Sequence, residues 1–229
     1  MTHCLLFDSD GTLVDSEAIN TEALTDELRL QGIDEDKSAL LARYRGWQFK
    51  ALLCDLGKLH HQELDAAFEE RFRARASSYF DERLEPIPNI HNALQQLHQV
   101  KCVASNAPMS KLRQVLGKTG LSGFFNNKLF SAYEISRFKP DPALFLYAAE
   151  QMAFDADKCI VIEDSDVGVM AAVKAGMKCV HYVPHHQHPL TDQGSLNNQV
   201  GEFSAHSSVL GISDMQQLPD AISELSMRR

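Results

Sequence analysis

Four short runs of apolar residues stand out along the chain: Cys4-Leu5-Leu6-Phe7, Val100 to Ala104, Cys159-Ile160-Val161-Ile162 and Met177 to Val183. None alternates strictly between apolar and polar positions. A strand with one wet face alternates, whereas a strand buried on both faces reads as a near-continuous apolar run. These runs therefore predict strands of a parallel sheet. Lys128-Leu129-Phe130-Ser131 predicts a further, shorter strand. Between the later runs, Lys111 to Lys118, Ala143 to Met152 and Val167 to Ala175 carry helical patterns. Strand alternating with helix implies βαβ units, hence an α/β fold with a Rossmann-like parallel sheet.

The first two strands are too far apart for a simple crossover, because about 90 residues separate Phe7 from Val100 and a βαβ unit takes a few tens. The intervening chain reads as helix over Glu17 to Leu30, Lys37 to Tyr44, Lys50 to Leu56 and Glu63 to Tyr79, with turns at Gly32, Gly46 and Gly57-Lys58. This predicts an inserted all-helical lobe. The expected division is a core of residues 1–15 and 86–229 with a helical cap of residues 16–85. Asn89 to Leu97 then supplies the crossover helix, and the polar stretch His185 to Asn198 is expected to be a surface loop.

Composition narrows the function. The net charge is −9, and no basic stripe is present. That argues against nucleic acid and against anionic membrane surfaces, while leaving room for a local anion site. No apolar run approaches a membrane span, and the apolar stretch before Asp8 is too short for a signal-peptide core. The five cysteines are odd in number and four lie inside apolar runs. They read as free thiols in a reducing compartment, so the expected location is the cytoplasm. Oligomeric state is not legible.

The chemistry lies at the strand ends. The first run ends at Asp8-Ser9-Asp10-Gly11, the second at Ser105-Asn106 and the third at Glu163-Asp164-Ser165. Ligands of open parallel sheets bind outside the carboxyl ends of the strands. Carboxylates and a hydroxyl from three separate strands thus converge on one edge. Clustered carboxylates raise one another's pKa and stay ionised only around a cation. Oxygen-only ligands suit magnesium, which keeps open positions for water and phosphate. A magnesium site beside a strand-end carboxylate is a phosphoryl-transfer layout.

Asp8-Ser9-Asp10-Gly11-Thr12, together with Ser105, Lys139 in Phe138-Lys139-Pro140-Asp141-Pro142, and Glu163-Asp164-Ser165-Asp166-Val167-Gly168, resembles the four ordered motifs of the haloacid dehalogenase superfamily of phosphatases. The position of the helical lobe resembles the cap of its β-phosphoglucomutase-like branch. The stretch from Lys128 to Leu144 is most similar to bacterial sugar phosphatases of the 6-phosphogluconate type. The resemblance implies that Asp8 is the nucleophile and a Mg²⁺ ligand. It implies that Asp10 is the general acid and base, with its main-chain carbonyl on the metal. Ser105, the Asn106 backbone N–H and Lys139 would bind the phosphoryl group, and Glu163 and Asp164 would complete the metal site. Ser9 departs from the pattern, where an apolar residue or Cys is common, and its side chain is expected to point away from the phosphate.

The expected function is a Mg²⁺-dependent phosphatase acting on a small phosphorylated sugar or sugar acid, 6-phosphogluconate among them, through an aspartyl phosphate. The alternatives are a phosphomutase with the same aspartates and a non-catalytic binding module on the same fold. Several features have plainer readings. Asp141-Pro142 reads as a helix start. Gly168 reads as a packing glycine between helix and sheet. Arg71, Arg73 and Arg75 read as a solvated helix surface, because alternate spacing scatters them. His181, His185, His186 and His188 read as a polar loop, with a second metal site the other option. In the lobe turn Arg45-Gly46-Trp47-Gln48-Phe49-Lys50, Arg45 and Lys50 are candidates to pair with a substrate carboxylate or second phosphate.

Overall fold

The computed structural model describes residues 3–44, 47–65, 67–184 and 206–228. Six strands form one sheet: β1 (Cys4–Phe7), β2 (Lys101–Ser105), β3 (Leu129–Ser131), β4 (Cys159–Glu163), β5 (Lys178–Tyr182) and β6 (Val209–Ile212). Their order is β3-β2-β1-β4-β5-β6, and every pairing is parallel. The apolar runs are non-alternating because helices cover both faces. Leu5 and Phe7 enter one core, whereas Cys4 and Leu6 enter the other. The five cysteines are free; Cys4, Cys102, Cys159 and Cys179 are buried and Cys54 is exposed. β6 carries no long apolar run, because it lies at the sheet edge and its middle residues Leu210 and Gly211 are partly exposed.

The first core also takes in the segment between β1 and β2, which forms α1 (Glu17–Leu30), α2 (Lys37–Tyr44), α3 (Phe49–Leu59) and α4 (Phe68–Arg83) before α5 (Ile90–Gln96). The segment leaves and rejoins the sheet layer where Val14 bridges Pro86. Two expectations fail inside it. Gly57-Lys58 is not a turn but the last part of α3, and the chain reverses after it, where His61 takes a positive φ of 49°. Gly57 instead allows the returning chain to approach. A Cβ there would sit 3.0 Å from the Gln62 carbonyl, and Gln62 N–H donates to Gly57 O at 3.0 Å. The fourth helix begins at Phe68 rather than Glu63; Asp65 lies ahead of it and accepts from Ala67 N–H and Arg71. The expected turn at Gly46 and the loop His185 to Asn198 lie outside the described residues.

The remaining helices are α6 (Met109–Lys118), α7 (Ala132–Ile135), α8 (Ala143–Gln151), α9 (Asp166–Lys174) and α10 (Leu218–Met227). Asp141 accepts from Ala143 N–H at 2.9 Å, as its reading as a helix start required. His181 is not in a loop: it is a buried residue of β5. Among the described residues, no helix is long and apolar enough to cross a membrane.

Candidate active site

In the strand order, β1 lies between β2 and β4, so the sheet grows to one side of β1 through β2 and β3 and then to the other through β4, β5 and β6. Such a reversal leaves a crevice at the carboxyl ends of the two central strands. Asp8 follows β1 there, and its N–H donates to Ile162 O on β4 at 2.9 Å. Glu163 ends β4 and Asp164 follows it. Carboxylate oxygens of Asp8, Glu163 and Asp164 lie within 4.8 Å of one another, and all three residues are buried. The Lys139 ammonium sits among them, 2.5 Å from Asp8 Oδ1 and 2.8 Å from Glu163 Oε1.

Three buried carboxylates against one ammonium leave two negative charges uncompensated. Burial pushes the Asp8 carboxyl well above the usual range; Lys139 opposes this, while Glu163 and Asp164 add to it. Burial also works against the Lys139 ammonium, but the charges of Asp8 and Glu163 outweigh it and hold the amine protonated. Glu163 is likewise opposed by burial, yet Lys139 and the donors of Ser165 keep its pKa below the ordinary value.

The two acids of β4 are not equivalent. Glu163 Oε2 accepts from Asp164 N–H (2.8 Å), Ser165 N–H (2.8 Å) and the Ser165 hydroxyl (2.9 Å), and Oε1 accepts from Lys139. Glu163 is therefore saturated by donors and anchors Lys139 from behind. Asp164 Oδ1 accepts from the Thr12 hydroxyl at 3.0 Å. Two glycines make room for these carboxylates. Gly11 has φ +80°, and a Cβ on it would lie 2.2 Å from Asp164 Oδ2. A Cβ on Gly168 would lie 1.8 Å from Glu163 Oε1. The close approach of Gly168 is thus to a site carboxylate. Gly168→Ala is expected to displace Glu163, and with it Lys139, lowering turnover at least about tenfold. Steady-state kinetics checks this, and wild-type turnover in the variant would contradict it.

The donor set tests whether a metal fits. It is oxygen-only, carries an excess of two negative charges and is backed by a glycine cradle where any side chain would intrude. That suits a hard divalent cation.

Asp10 stands apart from the three-acid cluster. Lys111, in the first turn of α6, approaches its two oxygens at 2.8 and 2.9 Å, and the Ser16 hydroxyl donates to it. Ser105 ends β2, is buried, and its Oγ accepts from Ala107 N–H at 3.2 Å. Asn106 Oδ1 accepts from the Lys139 N–H at 3.0 Å, so its side chain ties down the loop that carries the lysine.

These groups form the floor of a cavity of about 360 Å³ whose roof is the helical segment. Trp47, Gln48 and Phe49 line it, but Lys50 is exposed and does not, and Arg45 lies outside the described residues. Among the described residues, the cation of the roof that lines the cavity is Arg73. The alternate arginines of α4 are half-exposed, as their scatter around the helix implied, but their heads are engaged in two different directions. Arg71 and Arg75 turn to the buried carboxylate of Glu27 on α1, at 3.1 and 2.7 Å, and Arg73 turns the other way into the cavity. Sequence reasoning missed Arg73, Lys111, Thr12 and the role of Gly168. Thr12 was open to it, inside the first motif. Lys111 was open to it too, in the first turn of the helix that follows the strand-end Ser105. The facing of Arg73 depended on how α4 packs.

Residues 2–176 match the sequence model of a family described as haloacid dehalogenase-like hydrolase. The chain is 35% identical to the 6-phosphogluconate phosphatase of Escherichia coli (strain K12), covering 80% of this chain and 84% of the relative. It is 29% identical to a fructose-1-phosphate phosphatase of the same organism, covering 77% and 94%. A crystal structure of a haloacid dehalogenase-like protein of unknown function from Agrobacterium tumefaciens superposes with a TM-score of 0.81 at 27% identity, covering 99% of this chain and all of that one.

Proposed function

The chain belongs to the haloacid dehalogenase-like hydrolases, and from that premise we propose that it is a Mg²⁺-dependent, cytoplasmic phosphatase of a small phosphorylated sugar or sugar acid. The observation that carries this is the buried cluster of Asp8, Lys139, Glu163 and Asp164 opening into a roofed cavity. The relatives named as sugar-phosphate phosphatases support the substrate class.

Asp8, Asp164 and the main-chain carbonyl of Asp10 would hold the ion; Glu163, expected among its ligands, has both oxygens taken by Lys139, Ser165 and the Asp164 N–H and supports Lys139 instead. Magnesium, when bound, neutralises the surplus carboxylate charge and the charge on the phosphoryl oxygens. Asp8 attacks phosphorus and forms an aspartyl phosphate, and the sugar oxygen departs with a proton from Asp10. Asp10 then takes a proton from the water that hydrolyses the intermediate. Lys111 and Ser16 hold its carboxylate in place meanwhile. The Lys139 ammonium and the Ser105 hydroxyl stabilise charge on the equatorial oxygens. The helical segment, residues 16–85, acts as a cap that keeps bulk water from the intermediate.

The test is phosphate release from a panel of sugar phosphates that includes 6-phosphogluconate and fructose 1-phosphate. Release is expected with Mg²⁺, falling at least about 100-fold in EDTA and returning when Mg²⁺ is restored. Absent or metal-independent release would refute the reading. Glucose 6-phosphate accumulating from β-glucose 1-phosphate and a bisphosphate primer, without free phosphate, would select the mutase instead.

A further inference from the structure

We propose that Arg73 and Tyr133 form the site that recognises a carboxylate at the end of the substrate remote from the phosphoryl group, which makes the preferred substrate a phosphorylated sugar acid. This rests on the phosphatase reading and deepens it.

Arg73 is held rigidly in the roof of the cavity. Glu69, one turn earlier on α4, takes its Nε and Nη2 at 2.9 and 2.6 Å. The guanidinium lies over the rings of Phe49 and Tyr133, with Cζ 5.5 and 5.8 Å from their centroids. Nη2 also donates to the Tyr133 hydroxyl at 2.9 Å. Tyr133 comes from the sheet side of the cavity, outside the helical segment. It sits in the first turn of α7, whose start is fixed by Ser131: the Ser131 Oγ accepts from Tyr133 N–H and donates to Ala107 O. Roof and floor therefore meet at this pair, at the cavity wall.

What the pair still offers is donors. Among the described residues Nη1 of Arg73 has no protein partner, so its two N–H groups remain. The Tyr133 oxygen already accepts from Nη2, which leaves its own O–H to give. A neutral sugar hydroxyl both donates and accepts, whereas a carboxylate only accepts. A flat guanidinium end beside one hydroxyl proton matches the two oxygens of a carboxylate. A second phosphoryl group shares this acceptor chemistry. It carries more charge, however, and Glu69 has already offset much of the arginine's. The carboxylate is the better match.

The experiment compares kcat/KM for 6-phosphogluconate, for glucitol 6-phosphate and for fructose 1,6-bisphosphate. Glucitol 6-phosphate is the same chain with an alcohol in place of the carboxylate. The wild type is expected to favour the acid over the alditol at least tenfold and over the bisphosphate as well. In Arg73→Gln the acid-to-alditol ratio is expected to fall at least tenfold, mainly through KM for the acid. Arg73→Lys should restore part of the ratio, and Tyr133→Phe should lower it by a smaller factor. A fall in both substrates by the same factor would mean that Arg73 only supports the cap, and would overturn the proposal. So would a wild type indifferent to the acid or partial to the bisphosphate, in each case leaving the phosphatase reading intact. No release from any ester would overturn both.

Discussion

Asp8→Asn is expected to lower phosphate release by at least about 10⁴-fold while the protein remains folded. The amide has nearly the shape of the carboxylate and can still accept from Lys139, so packing at the end of β1 is kept. It cannot form the aspartyl phosphate. Neutralising Asp8 also removes one of three crowded charges, whose repulsion and burial already push its carboxyl upward. The melting temperature in EDTA should therefore not fall. Phosphate release and thermal unfolding together check this. Turnover near the wild-type rate would show that the phosphoryl group is transferred elsewhere.

Lys139→Ala should be the most damaging change to stability. Lys139 is 4% exposed and is the counter-ion of two carboxylates that are themselves almost fully buried. Breaking a buried pair by removing one partner costs about 3–5 kcal/mol, because the other charge is left uncompensated. Shielding by solvent is slight at this burial, so little discount applies. For a chain of this size, that is a fall in melting temperature of about 10 °C in EDTA. Adding Glu163→Gln should recover part of the loss, since it removes one of the stranded charges. A double variant no more stable than Lys139→Ala would mean that lost packing against Phe145, rather than charge, dominates; the ammonium lies 4.7 Å from that ring.

The site was legible where its position followed from backbone pattern. A residue at the end of an apolar run lies at the carboxyl edge of the sheet whatever its side chain does. Asp8, Ser105 and the Glu163-Asp164 pair could thus be gathered onto one edge before any contact was known. Lys139 is different: its loop follows β3 and α7, and only the family resemblance singled it out. The division of labour between Glu163 and Asp164 was not legible either, because it depends on which oxygens are already occupied by Ser165, Lys139 and Thr12. Gly168 looked like a packing glycine, since nothing in its neighbours along the chain reveals a carboxylate against its Cα. Gly57 misled in the opposite sense. Glycine often marks a turn, but here it clears space for a chain that turns only after the helix has ended.

By itself, the order of apolar runs determined a parallel sheet with a helical insertion and placed acids at its carboxyl edge, because burial on two faces and the direction of a strand are written in local pattern. Which arginine of α4 faces the cavity was decided only by tertiary structure. Residues 71, 73 and 75 are chemically alike. The buried carboxylate of Glu27, from a helix more than forty positions away, engages two of them and leaves the third to line the site.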